Sequence, residues 1–468
     1  MAVTGRKYGN DRDGSHVVLV PSDGMRSSVQ LGTVSRRFET GWSCLLTAGH
    51  GAVQGVKRRV ALVLALGGIA GLFFASAASA HWVGTWSASP SDASPFVPSL
   101  SDQTVRMVVA PHFGGGWVRV HLSNRFGTSP VVLDRVEIAL RAGGPALVPG
   151  SRRAVRFGGR RVVRIPTGAD VVSDAVRLRF AAFQDLAVSV YVAGSIAHPT
   201  EHLVTRQTSY LTPRGSGDHA SDRIGEAFTG LTAAGGYSTG WYFLDGIDVR
   251  AARKVGAVVA VGDSITDGFE SNENALTESP AGLNQNGRWP DDLARRLLRA
   301  HRQLSVLNAG ISGNRVLSGN PLFGPSALAR LQRDVVDEAG VRDVIVLEGI
   351  NDIGLSPSAS PSSIIGGLKR IVLRLRAAHL HVLLGTLTPA RGTPLTSYGG
   401  VTANEQREQV NHWIRSQHMV QVVDFDKAVR DPRHPDRLSP RYDDGDHLHL
   451  SLAGYRAMAA AVDLAELR

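Results

Sequence analysis

The hydrophobic pattern of the chain changes character near residue 252. Before this point, short segments alternate apolar and polar residues, at 105–109, 117–122, 131–140, 176–180 and 186–192. Glycine- and asparagine-rich turns separate the segments. A period of two places one face of each segment in a core, and frequent turns join neighbouring segments antiparallel. The pattern therefore predicts an all-β, sandwich-like domain over residues 81–252.

After residue 252, continuous apolar runs alternate with helical patterns. The apolar runs are at 255–261, 304–307, 344–347, 381–387 and 420–425. Helical periodicity covers 289–300, 326–338, 362–378 and 403–417, and a last helix is expected after His449. Continuous apolar strands separated by helices indicate a parallel sheet that is covered on both faces. Residues 253–468 are thus predicted to form an α/β domain with a five-stranded parallel sheet.

A secretory leader is predicted over residues 56–80. Three basic residues at 57–59 precede an apolar run at 60–74, and Ala-Ser-Ala at 78–80 offers a cleavage site. These are the three parts of a signal peptide. The alternative is a single membrane anchor, because apolar and small residues continue to Ala80 and just reach the length of a span. With cleavage, the mature protein is expected to be extracellular or periplasmic and not inserted in a membrane.

Residues 1–55 lie before the predicted leader and have weak periodicity. We interpret them as a non-native extension that arises from the choice of start site, with Val53 or Val56 as the true first residue. A disordered natural extension is the alternative. In both cases they take no part in the predicted fold.

Charge and cysteine content argue against a nucleic-acid-binding protein and against a protein held together by disulfides or by thiolate-bound metal. Removal of residues 1–80, which hold nine Lys/Arg and four Asp/Glu, lowers the net charge from +10 to +5. The remaining excess is spread along the chain without a basic run that carries aromatic residues, so no nucleic-acid partner is expected. The single cysteine, Cys44, precedes the leader, so neither a disulfide framework nor a thiolate metal site is expected.

A candidate nucleophile follows the first predicted parallel strand. Ser264 lies in Gly-Asp-Ser-Ile at 262–265. A serine at the end of a strand, preceded by a glycine that permits close backbone approach, is exposed on a rigid support. The alternative is a helix N-cap. A second serine pattern, G-x-S-x-G at 236–240, lacks the strand before and the helix after that a nucleophile elbow needs, and is interpreted as a turn.

The C-terminal loop offers a base and a carboxylate in two registers. Asp444 with His447, and Asp446 with His449, both fit Asp-x-x-His. In either register a carboxylate can orient an imidazole that takes the serine proton. Two further blocks, Gly-Ile-Ser-Gly at 310–313 and Gly-Ile-Asn-Asp at 349–352, follow other predicted strands. The carboxyl ends of parallel strands share one edge of the sheet, so all four blocks are expected to meet there.

These four blocks together resemble the SGNH, or GDSL, family of serine esterases. The resemblance extends from about Arg253 to the end of the chain and implies a flavodoxin-like α/β fold. It implies that Ser264 is the nucleophile, and that the oxyanion hole is formed by the backbone N–H groups of Ser264 and Gly313 and by the side chain of Asn351.

The resemblance also selects a register for the base. The family's histidine is followed by a helix that carries Gly-Tyr, and Gly454-Tyr455 lies at the matching distance after His449. His449 is therefore expected to be the base and Asp446 its orienting carboxylate. Leu450 and Ser451 replace the Pro and Asn that usually follow the family's histidine.

No metal or other cofactor is expected. The C-terminal tail is rich in ligand types, with His434, His447 and His449 near three aspartates. A zinc site needs three or four converging ligands, and no second ligand cluster at characteristic spacing accompanies this one.

The sequence therefore predicts a secreted serine esterase that acts on short-chain carboxylic esters, with acetyl groups on carbohydrates as attractive substrates. The partner is then a small-molecule or polysaccharide ester. The chain resembles the branch of the family that has an N-terminal β-sandwich, similar to xylanase-associated acylesterases. The polar segment 270–287 after Ser264 is expected to disfavour long acyl chains. The alternatives are a lipase or lysophospholipase of the same family, or a carbohydrate-binding or adhesion protein with a vestigial hydrolase domain.

Overall fold

The structure is a computed structural model that describes residues 80–91, 99–230, 240–270, 282–356 and 359–468. The predicted leader, apart from Ala80, and residues 1–55 lie outside the described residues. So does the G-x-S-x-G turn, apart from Gly240.

The described residues up to Ala252 contain strands and turns but no helix. The strands are β1 (Ala80–Ser87), β2 (Leu100–Val109), β3 (Gly115–Ser123), β4 (Val131–Leu133), β5 (Arg135–Gly143), β6 (Ala146–Leu147), β7 (Arg153–Ala154), β8 (Val163–Ile165), β9 (Asp170–Val172), β10 (Val176–Phe180), β11 (Leu186–Ile196), β12 (Glu201–His202), β13 (Tyr210–Leu211), β14 (Thr229–Gly230), β15 (Trp241–Tyr242) and β16 (Leu244–Ala252).

Two antiparallel sheets share one core in this β-rich region. One has the order β1-β16-β3-β10, with β9 also pairing with β3, and the other has the order β14-β13-β2-β11-β5-β6, with β7 pairing with β5. Alternate residues of β2, such as Met107 and Val109, pack in the same core as Val118 and Val120 of β3. The period-two pattern thus buries one face of each sheet against the other, and the predicted all-β, sandwich-like fold of this region is confirmed.

The remaining described residues form an α/β fold. Its strands are β17 (Gly256–Gly262), β18 (Leu304–Gly310), β19 (Val341–Leu347), β20 (His381–Gly385) and β21 (Gln421–Val423). Its helices are α1 (Ser264–Asp267), α2 (Trp289–Arg299), α3 (Ala327–Leu331), α4 (Ile350–Leu355), α5 (Pro361–Ala377), α6 (Thr396–Gly399), α7 (Val401–Arg415), α8 (Phe425–Val429) and α9 (Leu452–Ala461). A π-helical turn (Gln332–Val336) extends α3, and a 3₁₀ turn (Leu464–Glu466) follows α9.

The five strands β17–β21 are parallel and lie in the order β18-β17-β19-β20-β21. This is the doubly wound order of a flavodoxin-like sheet, so the predicted fold class is confirmed. The chain moves to one side of β17 to form β18 and to the other side to form β19. A crevice opens at such a switch point, at the carboxyl ends of the strands. Ser264, Gly313 and Asn351 follow these three strands.

Two boundaries differ from the sequence pattern at the edge of the sheet. The run 381–387 was expected to be one strand, but β20 ends at Gly385, and Leu387 pairs through its backbone with the Asn411 side chain. The run 420–425 gives only a three-residue strand, because Asp424 caps helix α8 by accepting from Lys427 N–H. In both cases a side chain, that of the buried Asn411 or of the partly exposed Asp424, satisfies backbone groups that a longer strand would pair.

The β-rich strands continue directly into the α/β region. The described residues from Ala80 to the C-terminus belong to one compact unit. Within its described part, Gly84 N–H donates to Ala339 O at 2.8 Å, and the His81 ring bonds to Val255 O at 2.9 Å. Among the described helices, none combines the length and hydrophobicity that a membrane crossing requires.

Candidate active site

Ser264 lies on a tight turn between β17 and α1. It is the first residue of α1, and Asp263 caps this helix by accepting from Ile265 N–H at 3.0 Å. Gly262 is required just before the turn, because a Cβ there would lie 2.6 Å from Leu347 O and closer still to the Thr266 hydroxyl. The N-cap role belongs to Asp263, which leaves the Ser264 hydroxyl free to face the crevice.

Ser264, His449 and Asp446 form a hydrogen-bonded line. His449 Nε2 is 2.9 Å from Ser264 Oγ, and His449 Nδ1 is 2.6 Å from Asp446 Oδ2. The other oxygen of Asp446 accepts the backbone N–H groups of Leu448 and His449 at 2.8 and 2.7 Å. All three side chains are buried, and Asp446 is fully enclosed. This arrangement can remove a proton from Ser264 and stabilise the imidazolium that results.

His447 lies outside this line. Its ring is half exposed and pairs with Asp443, not with Asp444. His447 has a positive φ of 63°, and unlike His449 it does not line the cavity that contains Ser264. Of the two registers that the sequence offers, the structure therefore brings only Asp446 and His449 to Ser264.

Electrostatics around His449 favour its charged form. Burial of the ring lowers the pKa of His449, but the Asp446 carboxylate and its hydrogen bond more than offset burial, and the net pKa is raised. The neighbouring Asp263 carboxyl is buried, which raises its pKa to about 7. An imidazolium at His449 is thus stabilised within a closed, weakly solvated site.

Hydrogen-bond donors face the crevice from two further loops. Gly313 follows β18 with a φ of +77°, and a Cβ at this position would lie 2.5 Å from the Phe323 ring. Asn351 lies in the first turn of α4, after β19. Ser264, Gly313, Asn351 and His449 line the same cavity. The structure thus brings together the residues that the family resemblance assigned to the oxyanion hole.

Tyr398 fixes the orientation of the Asn351 amide. The Tyr398 hydroxyl donates to Asn351 Oδ1 at 2.7 Å, and Asn351 Nδ2 donates to Asn314 O at 3.0 Å. An amide nitrogen has two N–H groups, so one remains for a ligand in the cavity. Sequence reasoning missed Tyr398, since it lies in the short helix α6, far from any motif.

Arg330 connects the loops beneath the site. Its buried guanidinium donates to Gly262 O at 3.0 Å, to Ala309 O at 2.6 Å and to Asn314 Oδ1 at 3.0 Å. Asp334 balances its charge at 3.0 Å. One side chain therefore fixes the ends of β17 and β18 and the loop that follows β18. In the sequence, Arg330 was indistinguishable from the other arginines of a predicted helix.

Asp352 has a structural role beside the site. Its carboxylate accepts Val316 N–H at 2.7 Å and Leu317 N–H at 3.0 Å. These bonds tie the start of α4 to the loop that carries Gly313, so the loops after β18 and β19 are held as a unit.

The cavity in front of Ser264 measures about 280 Å³ and has mainly apolar walls. They include Phe269, Ile311, Phe323, Ile350, Leu395 and Leu448. Leu203 and Val204, from the β-rich region, complete one side. Both regions of the chain therefore build the site.

The polar segment 270–287 was expected near this crevice, but residues 271–281 lie outside the described residues. Its described part is directed elsewhere. The Asn284 side chain bonds to Thr208 N–H at 2.7 Å and to the Thr208 hydroxyl at 2.9 Å. None of residues 282–287 lines the cavity. The acyl preference must therefore be inferred from the apolar walls and not from this segment.

Three carboxylates of the C-terminal loop, those of Asp443, Asp444 and Asp446, approach within 4.8 Å of one another. Each accepts hydrogen bonds inside the loop: Asp443 from Gly445 and His447, Asp444 from Asp446 N–H, and Asp446 from His449. The conformation of the loop accounts for this cluster without an ion.

The fold and the arrangement of Ser264, His449 and Asp446 match the pattern that the sequence predicted from the SGNH family. Residues 260–457 match the sequence model of the GDSL-like lipase/acylhydrolase family, so the chain contains a GDSL-like lipase/acylhydrolase domain. The predicted family resemblance is confirmed for this region. The comparison with curated proteins found no match.

Solved structures similar to the chain cover the same region. One is a putative lipolytic protein of the G-D-S-L family from Desulfitobacterium hafniense DCB-2, with 18% identity and a TM-score of 0.33, covering 44% of this chain and 96% of that one. Another is Est24, a carbohydrate acetylesterase from Sinorhizobium meliloti, with 18% identity and a TM-score of 0.37, covering 44% and 95%. The aryl esterase of M. smegmatis also has 18% identity and a TM-score of 0.37, covering 44% and 96%.

Proposed function

We propose that the protein hydrolyses carboxylic esters through an acyl-enzyme on Ser264. The observation that supports this most directly is the bond of 2.9 Å between His449 Nε2 and Ser264 Oγ, with Asp446 on the other ring nitrogen. A vestigial hydrolase domain would not be expected to retain the Ser264–His449–Asp446 hydrogen bonds together with Gly313 and Asn351 in the same cavity. Export through the leader at 56–80 is part of the proposal and rests on the sequence.

In the proposed reaction, Ser264 Oγ attacks the ester carbonyl carbon while His449 Nε2 takes the hydroxyl proton. Negative charge develops on the carbonyl oxygen, where the N–H groups of Ser264 and Gly313 and the Asn351 amide receive it. The imidazolium then gives its proton to the departing alcohol. Water, activated by His449, attacks the acyl-enzyme and releases the acid. Asp446 holds the ring throughout and stays ionised.

The cavity favours a compact, apolar acyl group. At about 280 Å³ it lies at or just below the lower end of the range of small-molecule sites, and its walls are mainly hydrocarbon. Each buried CH₂ group contributes about 0.8 kcal/mol. A butyryl or hexanoyl chain should therefore bind better than acetyl, whereas a lauroyl chain exceeds the space.

A series of para-nitrophenyl esters tests this function with the full chain. We expect kcat/KM to rise roughly tenfold from acetate to butyrate, since two more CH₂ groups are buried, and to fall again for laurate. Initial rates of nitrophenolate release measure it.

The outcomes of the series separate the alternatives. Absence of turnover with every ester would contradict ester hydrolysis itself. A maximum at laurate would indicate a lipase and a larger cavity. A maximum at acetate, with release of acetate from acetylated xylan, would favour the carbohydrate deacetylase that the sequence suggested.

Asn351→Ala should lower kcat by about 10²- to 10³-fold, because the amide binds charge that develops only in the transition state. KM should change little. Steady-state kinetics together with a thermal melt measure both effects.

Asn411→Ala provides a matched control. Asn411 is a buried asparagine whose side-chain oxygen accepts from Leu387 N–H and whose side-chain nitrogen donates to Leu387 O. It does not line the cavity. Its removal should lower Tm and leave the kcat of the folded protein near wild type. If Asn351→Ala behaved in the same way, Asn351 would be structural and the proposed hole would lose a donor.

A further inference from the structure

The β-rich region contributes a buried histidine to the site. His202 lies on β12, which pairs with β15, and its ring stacks on Trp241 with centroids 5.6 Å apart. The side chain is only 4% exposed and borders the cavity that contains Ser264.

Both ring nitrogens of His202 face acceptors. Nδ1 is 2.7 Å from Ser89 O, and Nε2 is 2.9 Å from Asp267 Oδ1 and 3.0 Å from Val204 O. A neutral imidazole has only one N–H group and would direct a lone pair at one of these oxygens. With Asp267 ionised, this geometry favours an imidazolium at His202, which can donate from both ring nitrogens.

The surrounding charges support this protonation state. Burial and the nearby Arg288 lower the pKa of His202, whereas the Asp267 carboxylate and the Ser89 carbonyl raise it. The raising effects are larger, so the net pKa of His202 is above the ordinary histidine value. His202 and Asp267 thus form a buried ion pair between the β-rich region and the α/β fold.

Asp267 connects His202 to the loop that carries Gly313 through hydrogen bonds to both. It ends helix α1, which starts with Ser264. Its second oxygen accepts Ser312 N–H at 2.9 Å and the Ser312 hydroxyl at 2.8 Å. Ser312 directly precedes Gly313, so the direction of the Gly313 N–H depends on the position of the Asp267 carboxylate.

We propose that His202 is a positioning residue for the oxyanion hole, acting through Asp267 on the Ser312–Gly313 peptide. The inference rests on the proposed function and extends it, because it makes the β-rich region part of the catalytic unit. Without His202, Asp267 would remain buried with an unbalanced charge and would shift toward water or toward another donor.

His202→Ala should lower kcat about 10- to 100-fold with little change in KM, because a displaced Gly313 N–H weakens binding of the transition state and not of the ester. His202→Gln should recover part of the loss, since its amide can donate to Asp267 without charge. Should the alanine variant fail to fold, the kcat of His202→Gln is compared with that of the unmodified protein. A reduced kcat supports the proposal, and an unchanged kcat contradicts it.

His112 offers a matched control for loss of a buried histidine. It lies in the β-rich region, bonds to Val306 O at 2.6 Å and pairs with the buried Asp291 at 2.9 Å, but it does not line the cavity. His112→Ala should lower Tm and leave kcat within about threefold of wild type. Equal kcat losses at His112 and His202 would overturn the proposal, because both would then report only stability.

A double variant tests the route through Asp267. Asp267→Asn should lower kcat about as much as His202→Ala, and the two together should lower it no further. Multiplied losses would show that His202 acts independently of Asp267, against the inference.

The activity of the unmodified protein distinguishes failure of the proposed function from failure of the proposed role of His202. If the unmodified protein fails to hydrolyse any ester, the proposed function fails, whereas wild-type turnover with an unaffected His202→Ala variant refutes only the role of His202.

Discussion

Ser264→Ala should reduce ester turnover by on the order of 10⁶-fold, close to the uncatalysed rate, because no other group can form the acyl-enzyme. Stability should hardly change. The hydroxyl makes a hydrogen bond to His449 Nε2, and the alanine fits the same turn. A fluorophosphonate probe should label the unmodified full chain on the peptide that contains Ser264 and should not label the variant. Initial rates, intact-protein mass and a thermal melt measure these three effects.

Ser305→Ala is the control for this substitution. Ser305 is a fully buried serine on β18, and its hydroxyl has no hydrogen-bond partner within the described part of the chain. Its variant should keep both turnover and labelling. Persistent labelling or undiminished turnover of Ser264→Ala would assign the nucleophile to a different residue and refute the proposed mechanism.

The sequence predicted this part of the sheet well because β17, β18 and β19 are largely buried on both faces. The runs that became β17, β18 and β19 are continuous apolar segments, so periodicity located them to within a few residues. The ends of the strands then located the crevice by geometry alone. Ser264, Gly313 and Asn351 meet because their strands are neighbours in the sheet.

Contacts that link distant segments could not be predicted in this way. His202 is 65 residues from Asp267 in the chain, and Tyr398 is 47 residues from Asn351. Neither lies in a motif, and each acquires its role only when two segments that are distant in the chain pack together. The apolar walls of the cavity have the same origin, since Leu203 and Phe323 come from different regions of the chain.

The choice of base was undecided in the residues themselves and is decided by backbone conformation. Asp-x-x-His occurs twice within residues 444–449, and its two registers differ by two residues. The positive φ of His447 exposes that ring, whereas Asp446 accepts the N–H groups of Leu448 and His449 and so turns the His449 ring inward. The family pattern selected the same register because Gly454 and Tyr455 fix the start of α9 behind it.

His449→Ala should therefore lower kcat by on the order of 10⁶-fold, and Asp446→Asn by about 10⁴-fold, since a wrongly held imidazole still leaves the hole and the binding cavity intact. His447→Ala, the matched control from the same loop, should keep roughly a tenth of the activity or more, because its ring is half exposed, pairs with Asp443 and does not line the cavity that contains Ser264. Initial rates for the three variants measure this. A dead His447→Ala variant beside an active His449→Ala variant would transfer the role of base to His447 and contradict the geometry.

The pH dependence follows from the same base. His449 must be neutral to accept the Ser264 proton, and the Asp446 carboxylate raises its pKa despite the opposing effect of burial. The protonated, inactive form therefore persists above the ordinary histidine pKa of about 6.5, and kcat/KM should rise with pH only beyond that value. In Asp446→Asn the residual activity should rise at a lower pH, because the carboxylate that stabilises the imidazolium is gone. An unshifted acid limb in that variant would mean that a different group, such as the buried Asp263, controls the profile.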